Sequence, residues 1–414
     1  MPSSRPVVLF VGHSASPTGF ARVLRSILGH LSEDYEMHQF GIDAAVPDSA
    51  SSRWIAHANP DPSDLHGNKA LQQIITAVKP DIVLILDEPW VCSRRAPVLF
   101  RANRFRTVFY GAVDFEDSIT PAIASDIARL DCFVAFTESG RRIIQSKLET
   151  FAQDSFPRLE VIPHGVDTAV FHPLNASDSS CFSSARRQGR RLLFPMDGTL
   201  EDAFIVLNAN RNQPFKRIDL TIEGFARFAR DKPENVKLYL HMGSRRSPPS
   251  ATPLVDRFGI RSRVLSTTQG EAHPHVPDAE LNLIYNACDV GINTSEKEGW
   301  GLVSFEHAAT GASQIVPNHS ACAELWRASA LFLEPLERDS LHTYQKAGQT
   351  VTVEGIAAAL EALYAHPHLR RKLAIAAFKN ATKPEYQWSN IAKKWDELFC
   401  DLLTQKSVRP AHSG

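Results

Sequence analysis

The sequence lacks a charge bias of either sign. Its 45 lysines and arginines against 46 aspartates and glutamates leave a net charge of -1 over 414 residues. Proteins that bind a polyanion usually carry a basic excess, so we expect no nucleic-acid partner. The 43% hydrophobic and 22% charged residues are typical of a globular protein. The length exceeds that of one ordinary domain and predicts two or three.

Cysteine is also scarce, and long apolar runs are missing. The six cysteines are scattered without metal-ligand spacing, and no Asp-x-Asp pair offers a metal clamp. No run approaches the roughly 18 apolar residues that span a bilayer. The N-terminal run RPVVLFVGHS lacks a basic region before it and a cleavage site after it. We therefore expect a reducing cytoplasm, no resident metal or cofactor and no transmembrane segment. Peripheral membrane contact stays open.

Short apolar runs alternate with segments of helical periodicity, which predicts an α/β fold with parallel sheets. In the first half a helical stripe that begins at Val23 and Leu24 follows the first run. The alternation restarts after the middle of the chain, so we expect two similar α/β units. The expected strands of the two units are PVVLFVG, DIVLIL, RTVFYG, DCFVAF and RLEVIP, then FIVLNA, VKLYLHMG, RVLST, CDVGIN, SQIVP and ALFLEP.

Between the two halves the composition becomes polar. The run NASDSSCFSSARRQGRR favours a solvated linker, although its four arginines could also bind phosphate or acidic lipid. Near the end, Trp388, Ile391 and Trp395 begin an amphipathic helix. The predicted boundaries are a first domain at 1–174 completed by a helix at 387–405, a linker at 175–200, a second domain at 201–380 and a disordered tail at 406–414.

The segment EGWGLVSFE places Glu298 and Glu306 around a Gly-Trp-Gly turn that begins a helix. A helix start has unpaired main-chain N–H groups and the positive end of the dipole, so it suits an anion such as a diphosphate. Arg211 and Lys216 lie on a loop after a predicted strand, at the sheet edge where open α/β folds bind ligands. Both are good phosphate ligands. Alternatively they are solvated side chains, and Glu306 caps its helix.

Four segments in one order carry a resemblance to a known family. They are IPHGVDTAVFHPL, NRNQPFKR, LIYNACDVGINTS and EGWGLVSFEHAATG, and the last matches a signature of two glutamates separated by seven residues. Together they resemble the retaining glycosyltransferases of family 4, which have the GT-B architecture. The likeness runs over nearly the whole chain and is densest from Asn208 to Glu324. It implies two facing Rossmann-like domains, with the final helix crossing back to the first.

The resemblance also implies a nucleotide-sugar donor and an acceptor of unknown identity. Arg211 and Lys216 would bind the diphosphate, Glu298 the sugar hydroxyls and Glu306 the ribose. The remaining donor-binding residues implied in the second half are Gly299, Gly301, Leu302 and Val303. We take Glu296 as an exposed charge and Trp300 as packing beneath the sugar. Phe215 departs from the family, because close relatives tend to have a basic residue there.

In the first half, the loop SPTGFARVL resembles the family's glycine loop, which places Gly19 near the diphosphate or the sugar. Asp114 stands where many relatives have a catalytic-site histidine, and it either contacts the sugar or is a turn residue. His13 could face the same site, while His164 is interpreted as structural.

The implied reaction transfers the sugar with retention and needs no dedicated base, since the departing phosphate takes the acceptor proton. Domain closure would exclude water from the donor. Two alternatives stay open: a sugar-nucleotide epimerase of the same fold, and a catalytically silent nucleotide-sugar-binding protein. A phosphorylase would need a lysine-bound pyridoxal cofactor and usually a longer chain. A redox Rossmann enzyme fits less well, because no G-x-G-x-x-G fingerprint is present.

Overall fold

The computed structural model describes residues 5–14, 18–43, 53–61, 63–100, 105–152, 156–174, 182–243, 251–268, 270, 274–337 and 349–405. The chain divides into two compact units, Met1–Gly165 with Trp388–Gly414, and Val166–Gln387. Each unit is built around a parallel sheet with helical connections, so the predicted α/β class with two Rossmann-like units is confirmed. None of the helices in the described part of the chain is long and apolar enough to cross a membrane.

The first unit contains a parallel sheet of seven described strands in the order β3-β2-β1-β4-β5-β6-β7. The strands are β1 (Val7–Gly12), β2 (Glu36–Gly41), β3 (Ile55–Ala58), β4 (Ile82–Asp87), β5 (Arg106–Gly111), β6 (Cys132–Ala135) and β7 (Arg158–Val161). The helices that connect them are α1 (Gly19–His30), α2 (Asn68–Val78), α3 (Trp90–Leu99), α4 (Pro121–Ile127) and α5 (Glu138–Phe151).

The central strands of this sheet are those with uninterrupted apolar sequence. Every residue of β4 is buried, as expected for a parallel strand covered by helices on both faces. Helix α1 begins at Gly19, where the Thr18 side chain accepts a hydrogen bond from the main-chain N–H of Ala21. The predicted helical stripe is confirmed, and its residues Val23 and Leu24 are buried.

The second unit contains a six-stranded parallel sheet among its described residues, in the order β10-β9-β8-β11-β12-β13. Its strands are β8 (Phe204–Asn208), β9 (Val236–Leu240), β10 (Val264–Ser266), β11 (Val290–Ile292), β12 (Ser313–Pro317) and β13 (Leu331–Leu333), with a separate antiparallel pair, β14 (Pro335–Glu337) and β15 (Gln349–Val351). Its helices are α6 (Ser183–Leu193), α7 (Ile218–Ala229), α8 (Ala251–Arg257), α9 (Asp278–Ala287), α10 (Leu302–Ala309), α11 (Ser320–Leu325), α12 (Val353–Ala365) and α13 (Pro367–Ala381).

The prediction of a solvated linker at 175–200 is wrong for residues 183–193. Residues 175–181 lie outside the described residues, but Ser183–Leu193 form helix α6 within the second unit. Arg186 is 5% exposed and Arg190 is 4% exposed. Their guanidinium groups donate to main-chain carbonyls at the end of α9. Carbonyls in the last turn of a helix lack the N–H donors of a following turn, and the two arginines are buried because they donate to these carbonyls.

The division between the units also falls earlier than predicted. It follows Gly165 rather than residue 174. The main-chain N–H of Val166 donates to Tyr386, and that of Leu174 donates to the Asn286 side chain, both within the second unit. The segment from Val166 to Leu174 therefore belongs to the second unit.

The last helix, α14 (Trp388–Thr404), groups with the first unit. It buries Trp388, Ile391 and Trp395, and the Trp395 ring packs edge-on against Tyr110 of β5 at 4.9 Å between centroids. The tail predicted to be disordered, 406–414, lies outside the described residues.

Candidate functional site

The candidate site lies at the carboxyl edge of the second sheet, where the strand order reverses. Chain connections run to opposite sides of β8 and β11, which are paired neighbours. Such a switch point leaves a crevice at the ends of the two strands, and it is where open α/β sheets bind ligands. The loop after β8 carries Arg211 and Lys216, and the loop after β11 carries Glu298.

The two loops are joined by main-chain and side-chain hydrogen bonds. The N–H of Glu296 donates to the Phe215 carbonyl at 2.8 Å. The Thr294 hydroxyl donates to the Lys216 carbonyl at 3.0 Å and lies 2.8 Å from the Thr221 hydroxyl. These buried contacts fix the position of one loop against the other.

Lys216 and Glu298 meet directly in this arrangement. The Lys216 ammonium lies 2.6 Å from Glu298 Oε2, and the two side chains are 13% and 11% exposed. Asn293 Nδ2 donates to the same oxygen at 3.1 Å, and the Ser295 hydroxyl lies 3.5 Å from it. Among the described residues, every hydrogen bond to the Glu298 carboxylate reaches Oε2, which leaves Oε1 as the oxygen for a ligand.

Helix α10 begins beside this pair. Gly301 is its N-cap with φ of 93°, a left-handed conformation that glycine adopts without strain. A Cβ atom at Gly301 would lie 3.4 Å from the Glu298 side chain. The N–H groups of Leu302 and Val303 are in the first helical turn and have no carbonyl partner within the helix. The predicted anion-binding helix start therefore adjoins the Lys216–Glu298 pair.

Glu306 lies farther along the same helix and is buried, with 5% exposure. Its Oε2 accepts a hydrogen bond of 3.0 Å from the Tyr285 hydroxyl on α9. The position of Tyr285 depends in turn on α6, because Arg186 donates to the Tyr285 carbonyl at 2.7 Å. Glu306 is therefore held by a side chain on another helix. A residue that only caps its own helix would not need this contact.

Two neighbours of Lys216 in the site, Glu296 and Phe215, differ from what the sequence suggested. Glu296 is not an exposed charge, because its carboxylate lies 2.8 Å from the Arg217 guanidinium and is 16% exposed. Arg217 also pairs with Asp219 at 2.8 Å. The Phe215 ring, which stands in place of a basic residue, lies under the Lys297 ammonium at 5.0 Å.

Two buried side chains at this sheet edge have polar atoms without a hydrogen-bond partner among the described residues. They are the Asn212 amide, on the loop between Arg211 and Lys216, and Nε2 of His319, after β12. Burial lowers the pKa of His319, while the main chain of Ser295 and the Glu298 carboxylate act against that shift. Buried polar atoms are nearly always paired in native proteins, so the two atoms of the Asn212 amide point to a ligand, whereas His319 lies against the main chain of Ser295.

Trp300 is buried, whereas Arg211 is exposed. Trp300 is 3% exposed and stacks on Phe305 at 5.0 Å between ring centroids, with Tyr386 edge-on at 5.4 Å. It packs beneath the helix start. Arg211 lies on the loop after β8 with its side chain exposed, and it shares that loop with Lys216. Gly299 precedes Trp300 in the turn.

The remaining predicted residues lie in the first unit. Gly19 is the exposed first residue of α1, and residues 15–17 before it lie outside the described residues. Asp114 is partly buried on the loop after β5. His13 Nδ1 lies 3.9 Å from the Asp43 carboxylate. His164 is buried and bonds to the Tyr110 hydroxyl at 2.8 Å, and burial lowers its pKa to about 3, as expected of a structural histidine.

Sequence reasoning missed Thr294, Arg217 and Tyr285 as parts of the site. Thr294 and Arg217 lie within the quoted motifs, but only the tertiary structure shows that they join the two loops. Tyr285 lies within the segment LIYNACDVGINTS, and its contact with Glu306 had no sequence signal. Within the described ranges, no group of three or more His, Cys, Asp or Glu side chains is placed to hold a metal ion.

Comparison with known proteins finds glycosyltransferases. A family model described as glycosyl transferase-like matches residues 251–397. Mannosylfructose-phosphate synthase from Agrobacterium fabrum is 29% identical over 189 residues, which are 44% of this chain and 38% of that protein. D-inositol 3-phosphate glycosyltransferase from Xylanimonas cellulosilytica is 30% identical over 192 residues, 46% of this chain and 41% of that protein. The chain thus spans about two fifths of the length of these curated relatives.

Solved structures show the same fold over nearly the whole chain. Sucrose-phosphate synthase from Thermosynechococcus elongatus has a TM-score of 0.72 at 16% identity and covers 96% of this chain and 99% of its own. HepE from Anabaena in complex with UDP and glucose has a TM-score of 0.69 at 15% identity, with coverage of 96% and 100%. At these identities the likeness concerns the fold, which is that of GT-B proteins.

Proposed function

We propose that this chain, a member of the group 1 glycosyltransferases, transfers a sugar from a nucleoside-diphosphate sugar to an acceptor hydroxyl. The observation that carries the proposal is the Lys216–Glu298 pair of 2.6 Å at the switch point of the second sheet. At this point Lys216 offers a positive charge for phosphate and Glu298 offers a carboxylate for sugar hydroxyls, next to the start of α10. That combination matches the two halves of such a donor.

The diphosphate would lie against Arg211, Lys216 and the first turn of α10. Negative charge grows on the departing diphosphate as the bond to the sugar breaks, and preorganised cations and N–H dipoles stabilise it. Arg211 can hold two phosphate oxygens in a fork, and Lys216 supplies a compact charge. This set supplies positive charge for the diphosphate from the chain itself, and we propose that catalysis needs no obligatory metal ion.

The sugar would lie on Glu298 and the ribose on Glu306. Oε1 of Glu298 is available to accept from a sugar hydroxyl while Oε2 keeps its bonds from Lys216 and Asn293. Glu306 accepts from the Tyr285 hydroxyl through Oε2, and its carboxylate would also accept from the ribose. The Asn212 amide would complete the polar surface around the donor.

We propose retention at the anomeric carbon. The bond between that carbon and the phosphate oxygen breaks as the bond to the acceptor oxygen forms on the same face, and the acceptor proton passes to the departing phosphate oxygen. The protein then has to orient both reactants and stabilise charge, rather than supply a base.

The first donors to test are UDP-sugars, because HepE was solved with UDP and glucose. A reducing, cytoplasmic setting is also proposed, and five described cysteines with free thiols support it: Cys92, Cys132, Cys288, Cys322 and Cys400.

A turnover assay with the full chain tests the proposal. UDP-, GDP- and ADP-sugars are incubated with a mixture of sugars and polyols, with and without a chelator, and nucleotide release and product configuration are measured. We expect release of one nucleoside diphosphate that depends on acceptor, survives chelation and gives a product with the donor's anomeric configuration. No nucleotide-sugar binding would contradict the proposal, and an isomerised sugar formed without acceptor would instead favour an epimerase.

A further inference from the structure

Arg217 has a left-handed main chain although it is not a glycine. Its φ is 49° and its ψ is 48°. It ends the 3₁₀ turn Pro214–Lys216, and α7 begins at the next residue, Ile218. Glycine is the usual residue at such a position, because a Cβ atom makes the left-handed conformation costly. Strain of this kind persists only where the surrounding structure fixes it, so the contacts of Arg217 show what the strain maintains.

The Arg217 guanidinium donates to three partners in the protein. It bonds to Asp219 through Nε at 3.0 Å and through one terminal nitrogen at 2.8 Å. The other terminal nitrogen donates to the Glu296 carboxylate at 2.8 Å and to the Thr350 hydroxyl of β15 at 2.9 Å. All three nitrogens of the group therefore have an acceptor in the protein. Arg217 thus links the start of α7 to the loop after β11, and its charge is already matched by carboxylates.

Two consecutive cations of one loop pair with two carboxylates of the other. Arg217 lies 2.8 Å from Glu296, and Lys216 lies 2.6 Å from Glu298. The main-chain N–H of Glu296 also donates to the Phe215 carbonyl at 2.8 Å. Glu296 and Glu298 are two positions apart, so an anchor at the first restricts where the second can lie. The pair of Arg217 with Glu296 therefore holds the loops in the register that brings Lys216 to Glu298.

A buried chain of hydrogen bonds holds the main chain of the same two residues. The Thr294 hydroxyl donates to the carbonyls of Lys216 and Arg217 at 3.0 and 2.9 Å. It lies 2.8 Å from the Thr221 hydroxyl, which accepts from the Asn208 amide at 2.9 Å. The side chains of Thr294, Thr221 and Asn208 are all buried. A satisfied buried network makes the main chain that it contacts rigid, so the left-handed turn is fixed by side chains and main chain together.

We infer that Arg217 is a positioning residue for Lys216. Its left-handed main chain and its pair with Glu296 hold the Lys216 ammonium against Glu298, and Arg217 itself makes no contact with the donor. The effect on the reaction rests on the proposed function, in which Lys216 meets the diphosphate. A displaced charge stabilises the departing group less well, so loss of Arg217 lowers the rate through Lys216 alone.

A double-mutant cycle separates positioning from direct contact with the donor. UDP-glucose, GDP-mannose and ADP-glucose are screened, and the donor that the parent chain turns over is used throughout. For Arg217→Gln we expect kcat to fall about tenfold, whereas in a Lys216→Ala background the same substitution should change kcat less than about twofold. Arg227→Gln is the matched control, since Arg227 lies on the same helix and its pair with Glu354 is exposed. A tenfold loss in both backgrounds would overturn the inference.

The reactivity of the Lys216 amine tests the positioning without turnover. Reductive methylation of the folded full chain is followed by mass spectrometry, with Lys237, which donates to the Ser262 carbonyl, as the internal reference. We expect Lys216 to react about fivefold faster in Arg217→Gln, because an ammonium held by a carboxylate is protected.

Glu296→Gln removes the other half of the positioning pair. It should change Lys216 labelling and kcat in the same direction as Arg217→Gln, and it provides the test if Arg217→Gln does not fold. Unchanged Lys216 labelling in the folded variants would overturn the positioning role. Faster labelling in a chain whose parent turns over no donor would support the positioning role and contradict only the proposed function.

Discussion

The Lys216 ammonium and the Glu298 carboxylate lie 2.6 Å apart although they are 82 residues apart in the chain. Their contact joins the loops after β8 and β11 at the point where the strand order reverses. Open α/β sheets bind ligands at this point. One residue from each motif thus lies at this point of the sheet. Neither motif alone predicts the contact.

Replacing Lys216 tests the charge proposed to stabilise the departing diphosphate. For Lys216→Ala we expect kcat to fall about 10²-fold, or about 3 kcal/mol, because this interaction strengthens in the transition state. Lys216→Arg should recover part of the loss. Lys237→Ala is the control, since Lys237 lies in the same unit and donates to the Ser262 carbonyl. Steady-state kinetics provide the test, and unchanged turnover in Lys216→Ala would contradict its role.

Replacing Tyr285 or Glu306 should affect donor binding more than chemistry. Tyr285→Phe removes the 3.0 Å bond to Glu306, and we expect donor KM to rise about fivefold, or about 1 kcal/mol, with kcat within about twofold. Glu306→Gln should give a larger change in the same direction. Tyr364→Phe in α12 is the matched control for a lost hydroxyl. If Glu306→Gln only lowers the yield of folded protein, its role is that of a helix cap.

The arginines of α6 provide a stability test with a matched control. Arg186 is 5% exposed and donates to the carbonyls of Tyr285, Asn286 and Thr310. For Arg186→Met we expect the free energy of unfolding to fall by about 3 kcal/mol, because several buried acceptors lose their donor. Arg187→Met, one position along the helix, should stay within about 0.5 kcal/mol since its pair with Asp202 is exposed. Equal losses in urea titrations would mean that α6 is a solvated segment after all.

The buried His307 predicts how stability depends on pH. Burial, together with the nearby Arg186 charge, lowers the pKa of His307 to about 3 in the folded chain. In the unfolded chain the imidazole takes up a proton near its ordinary pKa of about 6.5. The contribution of His307 to the free energy of unfolding is therefore complete above that pH and falls as the pH drops toward 3. At about pH 5 the loss is about 2 kcal/mol relative to about pH 8.

The corresponding experiment compares His307→Gln with the exposed His368→Gln by urea unfolding at both pH values. The first variant should lose about 2 kcal/mol less than the parent on acidification, and the second should behave as the parent does. An unchanged acid response in His307→Gln would contradict this account of the buried imidazole.

Sequence patterns predicted the parts of the fold whose environment is uniform. The runs that became β1, β4, β5 and β8 are apolar on both faces, so burial is visible in the letters themselves. Strands β2 and β3 were not predicted, because β2 buries His38 and Gln39 and reads as polar. Main-chain pairing with β1 over six positions makes this segment a strand although its sequence has no apolar run.

The errors at α6 and Glu296 share one physical cause. Charged residues suggest exposure to solvent when only the sequence is considered. In both cases, however, the charged side chains are covered by partners that are distant in the chain. Arg186 meets carbonyls of α9 about 100 positions on, and Glu296 meets Arg217. Lys216, Glu298 and Glu306 could be named as site candidates because their motifs have fixed local spacing. The contact of Glu306 with Tyr285 was not, since it depends on how α9 packs.

A crystal structure of the full chain with a bound nucleoside-diphosphate sugar would test the central claim most directly. We predict the β-phosphate within hydrogen-bond distance of Lys216 and of the first N–H groups of α10, with a sugar hydroxyl on Glu298 Oε1. A diphosphate bound well away from Lys216 and the start of α10 would contradict the account.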